Sequence, residues 1–328
     1  MITAPICEFV RRYRYSGALR MHMPGHKGTA LLGPEPLDLT EIEGADVLYH
    51  AEGIIRESEA NAAALFGTKK TVYSAEGSSL CIRAMLYLAL LHARANHKKP
   101  VIAAGRNAHK VFMTAAALLD LDIRWIYGTE SVISCAITPA QLEDVIVSEN
   151  PAAVYITSPD YLGNIADIKS LSTVCKKHGV LLLVDNAHGA YLHFLPEPMH
   201  PMQLGADICC DSAHKTLPVL TGGAYLHIAH DTPDMFAQRA ESAMALFAST
   251  SPSYLILQSL DTMNPLLATS FPAQLKACAE RLDTLKAKLR AHGYALCGEE
   301  RTKLCLLPKS FGYTGTAPVS YTHLRAHE

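Results

Sequence analysis

The chain has 328 residues, 49% hydrophobic and 18% charged, with a formal net charge of −2. That length calls for one large domain and part of a second, and the composition excludes a disordered chain. The near-neutral balance, without any basic run, gives no electrostatic reason to bind nucleic acid, so a small molecule is the expected partner.

Residues 1–55 are rich in Gly, Pro and His and read as an N-terminal arm. No apolar signal core follows Met1. The longest apolar stretches, around Leu86–Leu91 and Val180–Val184, are too short to span a bilayer. Strands are predicted at Thr71–Ser74, Val101–Ala104, Ile123–Tyr127, Ala153–Thr157, Val180–Val184, Ile208–Cys210 and Gly223–Ile228. Apolar residues at helical spacing fall between most of them, over Leu80–Ala95, Val111–Leu119, Pro139–Val147 and Ile168–His178. The strands show little alternation, as strands buried on both faces do. The expectation is an α/β large domain over 56–268 with a mostly parallel sheet between helices. Helices are further predicted over Pro233–Ala248, Tyr254–Met263 and Gln274–His292, then short strands at Leu296–Cys297 and Lys303–Leu307. Residues 269–317 thus read as the start of a smaller α/β domain. The remainder, 318–328, has no apolar periodicity and is similar to translated adapter or vector sequence. The native reading frame is expected to break near Ala317, and the tail is left out of the fold reasoning.

Nine cysteines, an odd number, are scattered from Cys7 to Cys305 without a C-x-x-C pair. That pattern disfavours a disulfide framework and a zinc site, and it agrees with a reducing, cytoplasmic setting. No metal is expected. His22 and His26 have the helical metal-pair spacing, but Pro24-Gly25 between them works against a helix. G-x-G-x-x-G, G-x-x-x-x-G-K-[ST] and H-E-x-x-H are all missing, and Ser212-Ala213-His214-Lys215 matches S-x-x-K without its S-D-N and K-T-G companions.

The residues with the clearest chemistry are Asp185, which ends the apolar run Val180–Val184, and Lys215, among hydroxyls and His214 after Ile208–Cys210. Pyridoxal 5'-phosphate needs such a pair: a lysine to form a Schiff base with its aldehyde, and a carboxylate to keep the pyridine nitrogen protonated. Gly77-Ser78-Ser79 leads from a strand into a helix, where free N–H groups and two hydroxyls suit a phosphate, although taken alone capping the helix is the commoner job of such serines. Ser212 is a further hydroxyl in reach of that phosphate. His109 follows the strand Val101–Ala104 at the ligand-binding end of an open sheet, where an imidazole can stack on a pyridine ring. His188, soon after Asp185, would lie near the cofactor's 3'-oxygen, and Asn186 shapes the turn between them.

Taken together, six segments resemble the Orn/Lys/Arg decarboxylase family of fold type I pyridoxal-phosphate enzymes. They are Met21–Gly28, Gly77-Ser78-Ser79, Arg106–Lys110, Ser158–Gly163, Val184–Gly189 and Ser212–Leu217, in family order. The resemblance implies an aspartate aminotransferase-like, seven-stranded large domain and a homodimer with active sites at the subunit interface. It also implies decarboxylation of arginine, lysine or ornithine to a di- or polyamine. Lys215 would carry the cofactor, Asp185 would pair with the pyridinium nitrogen and His109 would stack on the ring. Ser78, Ser79 and Ser212 would hold the phosphate, and His214 would stand beside the Schiff base as a proton donor. Asn186 stands where many members have Glu, and family chains continue well past Ala317. A basic substrate also wants an acidic partner, for which Glu41, Glu43, Asp46, Glu76 and Asp160 are candidates. An aminotransferase or lyase would use the same Asp and Lys, and a non-catalytic relative would keep the fold alone.

Overall fold

The computed structural model describes residues 2–128, 134 and 136–314, so the tail 318–328 lies outside the described residues. In chain order the main elements begin with α1 Pro5–Arg14, α2 Ile54–Phe66, β1 Lys70–Ser74, α3 Ser78–Ala95, β2 Val101–Gly105, α4 Lys110–Leu118 and β3 Asp122–Ile126. There follow α5 Pro139–Glu149, β4 Ala153–Thr157, α6 Ile168–His178, β5 Leu181–Asp185, β6 Ile208–Asp211, α7 Ala213–Thr216 and β7 Ala224–Ile228. The last are α8 Asp234–Ala245, α9 Tyr254–Ala268, α10 Phe271–Ala291, β8 Leu296–Cys297 and β9 Cys305–Leu306.

Seven strands form one sheet in the order β1-β7-β6-β5-β4-β2-β3. All neighbours are parallel except that β7 runs antiparallel to both β1 and β6. The expectation of a mostly parallel seven-stranded sheet between helices is met. Successive strand residues supply opposite faces. Tyr155, Leu183, Ile208 and Cys210 join the apolar layer that includes α2, α3, α4, α8 and α9. Val154, Ile156, Leu182, Val184 and Cys209 join the layer beneath α5 and α6. Helix α3 carries the centre of the first layer. Its Leu80, Cys81, Ile82, Met85, Leu86, Leu88 and Ala89 are all buried, so apolar residues cover nearly its whole circumference.

The segment read as an arm contains a helix. In α1, Ile6 and Val10 are fully buried, and the helix packs on α2 and α9. Its spacing is helical and Pro5 stands at the first helical position, where proline suits a helix start, but the Gly- and His-rich stretch that follows masks it. Helix α9 continues through Pro265 to Ala268 rather than ending at Met263. The strands β8 and β9 form a separate two-stranded sheet.

Candidate active site

Strands β4 and β5 end level, Thr157 opposite Asp185, and Asp185 stands opposite Cys210, one residue before β6 ends. Their carboxyl ends therefore open on one place, as the crevice of an open α/β sheet does. A cavity of about 200 Å³ lies there. Gly77, Ser78, Ser79, His109, Asp185, His188, Ser212, His214 and Lys215 all line it, so every residue singled out for catalysis or the cofactor comes to one cavity. Lys215 and His214, from the single turn α7, also line a larger neighbouring cavity of about 1030 Å³, walled by α10 and the β8–β9 connection.

Asp185 is buried, with 2% of its surface exposed. The Tyr155 hydroxyl donates to its Oδ2 at 3.0 Å and the Ala187 N–H to its Oδ1 at 3.2 Å. Burial pushes its carboxyl above the usual carboxylate range, opposed by the Tyr155 bond and the Lys215 charge. Burial likewise pulls the Lys215 ammonium below its ordinary range, with Asp185 opposing. Lys215 Nζ lies 3.2 Å from His188 Nε2, and the Tyr161 ring stands edge-on to His188 at 5.5 Å between centroids. His214 Nδ1 lies 3.0 Å from the Gly223 carbonyl, which can only accept, so Nδ1 carries the proton and Nε2 is the exchangeable nitrogen. His109 caps α4, its Nδ1 accepting from the Val111 N–H at 3.3 Å, and burial lowers its pKa, favouring the neutral ring.

A second buried carboxylate holds this floor in place. Asp211 accepts from Asn186 Nδ2 at 2.7 Å, from His200 Nε2 at 2.9 Å and from His227 Nε2 at 3.2 Å. Burial alone would raise its pKa, but the His200 charge and these bonds prevail and hold it far below the carboxylate range. Asn186, the residue after Asp185, is thereby fixed from below. With His200 and Cys209, Asp211 forms a buried donor cluster whose carboxylate oxygens are occupied by these hydrogen bonds.

The donors match pyridoxal phosphate end by end. Gly77 takes φ +73°, in the left-handed region open to glycine, and offers α3 no side-chain cap, which leaves the first-turn N–H groups to an anion. Beside them Ser212 Oγ donates to Ser78 Oγ at 2.7 Å, setting two hydroxyls at the same point. An anion cradle and an amine of lowered pKa suit a phosphate and an aldehyde, and a pyridinium would supply the nearby cation that offsets the burial raising the Asp185 pKa.

A family model described as Orn/Lys/Arg decarboxylase, major domain, matches residues 4–297. The chain belongs to that family. Orn/Lys/Arg decarboxylases are pyridoxal-phosphate enzymes, and the family's major domain is the part matched. The chain is 31% identical to an arginine decarboxylase of Bacillus subtilis (strain 168), over 95% of this chain and 67% of that protein. In fold it resembles lysine decarboxylase A from Pseudomonas aeruginosa, with a TM-score of 0.75 and 17% identity, over 88% of this chain and 44% of that one. It also resembles Oryza sativa TDC with PLP, with a TM-score of 0.60 and 14% identity, over 75% of this chain and 58% of that one. The chain thus spans about two thirds of the B. subtilis relative and under half of the P. aeruginosa one.

Several site residues had no sequence signal of their own. Tyr155, the hydrogen-bond partner of Asp185, looked like strand core, and only its place two residues before the end of β4 marks it. Thr157, Ile82 and Pro159 also line the smaller cavity. None of the five acids considered for a basic substrate lines either cavity. Asp46 accepts from the N–H groups of Val47, Glu52, Gly53 and Ile55, at the start of α2. Asp160 accepts from Leu162 N and Asn164 N, Glu76 accepts from Ser249 N, and Glu41 and Glu43 are exposed. The carboxylate on the wall of the larger cavity is Glu300, 2% exposed and paired with Lys303 Nζ at 3.0 Å.

Proposed function

We propose that the protein decarboxylates a basic amino acid (arginine, lysine or ornithine), with pyridoxal phosphate held in the cavity of about 200 Å³. The observation that carries the reading is the convergence of Lys215, Asp185, His109 and the Ser78–Ser212 pair on that cavity in a chain of this family. Bound there, the cofactor supplies an electron sink for the pair left on Cα as carbon dioxide departs. Ser78, Ser79, Ser212 and the first turn of α3 would hold its phosphate, Lys215 its aldehyde, Asp185 its pyridine nitrogen and His109 its ring face.

The chain's own groups do the rest. Burial favours the uncharged, nucleophilic amine of Lys215. Asp185, costly to ionise alone at that depth, gains most from a cationic N–H partner and so keeps the ring protonated. His214, whose Nδ1 is committed to the Gly223 carbonyl, is left with Nε2 as the nitrogen that would carry a proton to Cα. Glu300 offers the acidic wall for the substrate's distal cation. Among the described residues no helix is long and apolar enough to cross a membrane. The reading takes the protein as a cytoplasmic homodimer acting on a small amino acid. Supporting the dimer, Leu19, Leu31 and Leu32 are 83%, 80% and 91% exposed, apolar surface suited to a second copy.

Borohydride reduction of the protein saturated with pyridoxal phosphate, followed by peptide mapping, is expected to place the pyridoxyl group on Lys215. Label on Lys27 or Lys110 overturns the assignment. Carbon dioxide release is then measured with arginine, lysine and ornithine, and release from none of them refutes the activity.

A further inference from the structure

The hairpin at the edge of the larger cavity sets two cysteines opposite each other. In the antiparallel β8–β9 pair, Leu296 faces Leu306 and Cys297 faces Cys305. The Leu307 N–H donates to the Ala295 carbonyl at 3.0 Å. Hydrogen-bonded and non-hydrogen-bonded pairs alternate along such a ladder, so Cys297 and Cys305 form a hydrogen-bonded pair, with Cα atoms about 5.5 Å apart. A disulfide spans Cα separations of roughly 4.4–6.8 Å. Both are free thiols and only partly buried, within reach of a small reagent. Burial and the neighbouring Cys297 push the Cys305 thiol's pKa up, as two adjacent thiols should.

The connection between these cysteines is part of the site's wall. It carries Glu300, Thr302 and Lys303, which line the cavity beside Lys215. The Glu299 and Glu300 N–H groups donate to the Gly163 carbonyl at 2.7 and 2.8 Å, and Lys303 Nζ donates to the Asp160 carbonyl at 3.3 Å. Gly298, at φ +80°, lies so close that a Cβ there would meet the Leu162 carbonyl oxygen at 2.1 Å. The segment gripped in this way carries Tyr161, which packs on His188, the neighbour of Lys215 Nζ.

We propose that Cys297 and Cys305 form a redox site, a dithiol that a low-molecular-weight disulfide converts to an intrachain disulfide, tying down the loop that walls the cavity beside Lys215. One cysteine thiolate attacks a sulfur of the reagent, forming a mixed disulfide and expelling one small thiol. The second cysteine thiolate then attacks the protein-side sulfur and expels the other. Two cysteine thiols and one small disulfide thus give one protein disulfide and two small thiols, with two electrons passing to the reagent. The new bond closes a short ring and limits the opened states of residues 298–304, so Glu300 stays held against Gly163 and Lys303 against Asp160. The bond does not rest on the decarboxylase reading.

The test equilibrates the purified protein with oxidised and reduced glutathione over a range of ratios, alkylates free thiols and maps peptides by mass. The expected product joins Cys297 to Cys305, is reversed by dithiothreitol and is missing from Cys305→Ser, whose Cys297 carries glutathione instead. Amide exchange over residues 298–304 should slow by about tenfold or more in the oxidised wild type, and not in oxidised Cys305→Ser. Full alkylation of both cysteines at every ratio, or pairing of either with Cys278, overturns the site. A Cys297–Cys305 bond without slower exchange overturns the coupling to the loop. Neither readout needs turnover, so failure of the decarboxylase reading leaves this result standing.

Discussion

Replacing Asp185 by Asn separates the charge of this residue from its shape. An Asn oxygen can still accept from the Ala187 N–H, now 3.2 Å from Oδ1, and its amide can donate to the Tyr155 hydroxyl, which rotates to accept. The fold should therefore keep its contacts, and because burial already disfavours the charged carboxylate, the melting temperature without cofactor should stay within about 3 °C of wild type. On the proposed reading, what disappears is one partner of a desolvated ion pair with the pyridinium nitrogen. Breaking such a pair from one side costs about 3–5 kcal/mol. If that loss falls on the transition state, turnover drops roughly 150- to 5,000-fold. Cofactor should still bind through Lys215 and the phosphate cradle. The assay is carbon dioxide release at saturating substrate, with cofactor occupancy read from absorbance and melting followed by circular dichroism. Turnover within tenfold of wild type at full occupancy would refute the role given to Asp185. A large fall in melting temperature would reassign the effect to folding.

Glu59 offers a pH test of the packing between α2 and β1. It is 5% exposed and accepts from the Tyr73 N–H at 2.8 Å, and burial pushes its pKa up to about 8. Its folded pKa exceeds its unfolded one, so its contribution is full below the unfolded pKa and is lost as pH rises through the folded one. Glu59→Gln should therefore gain on wild type by about 2–3 kcal/mol between pH 5 and pH 7 in urea unfolding, and a pH-independent difference would contradict this. Asp211→Asn leaves His200, His227 and Asn186 facing a group of altered charge and donor pattern, and should lower unfolding free energy by about 3–5 kcal/mol. A loss below about 1 kcal/mol would mean the network is dispensable. Ser212→Ala removes the hydroxyl 2.7 Å from Ser78 Oγ and should weaken pyridoxal-phosphate binding roughly 10- to 100-fold by equilibrium dialysis, with unchanged affinity as the contrary result.

Much of this architecture is legible in the sequence because buried parallel strands are short and apolar and end abruptly. Val180–Val184 locates β5 within one residue, and the carboxylate after it marks the strand's functional end. The α3 entrance was equally plain, since Gly77-Ser78-Ser79 sits between a strand and a long apolar helix. What stayed hidden depends on residues far apart in the chain. Helix α2 takes N–H partners from Asp46, outside the ordinary capping position, so no local cap announces it. Asp211 looks like the end of one more apolar strand until the fold brings His200, His227 and Asn186 to it. Glu300 was missed because it belongs to a connection between two-residue strands, too short for periodicity to register.

The register between β5 and β6 makes their pairing a ruler for the site. Asp185 stands opposite Cys210, and from there the chain reaches Ser212 and Lys215 within one turn. The spacing between the groups proposed for the ring nitrogen and for the aldehyde is thus written in backbone hydrogen bonds rather than in side-chain packing. Sliding β6 by one residue would move its side chains to the opposite face and displace Lys215, even with every residue type preserved. Insertions and deletions in β5 or β6 should consequently be far more damaging than substitutions of comparable size, and the core of this sheet is as much an instrument of alignment as of stability.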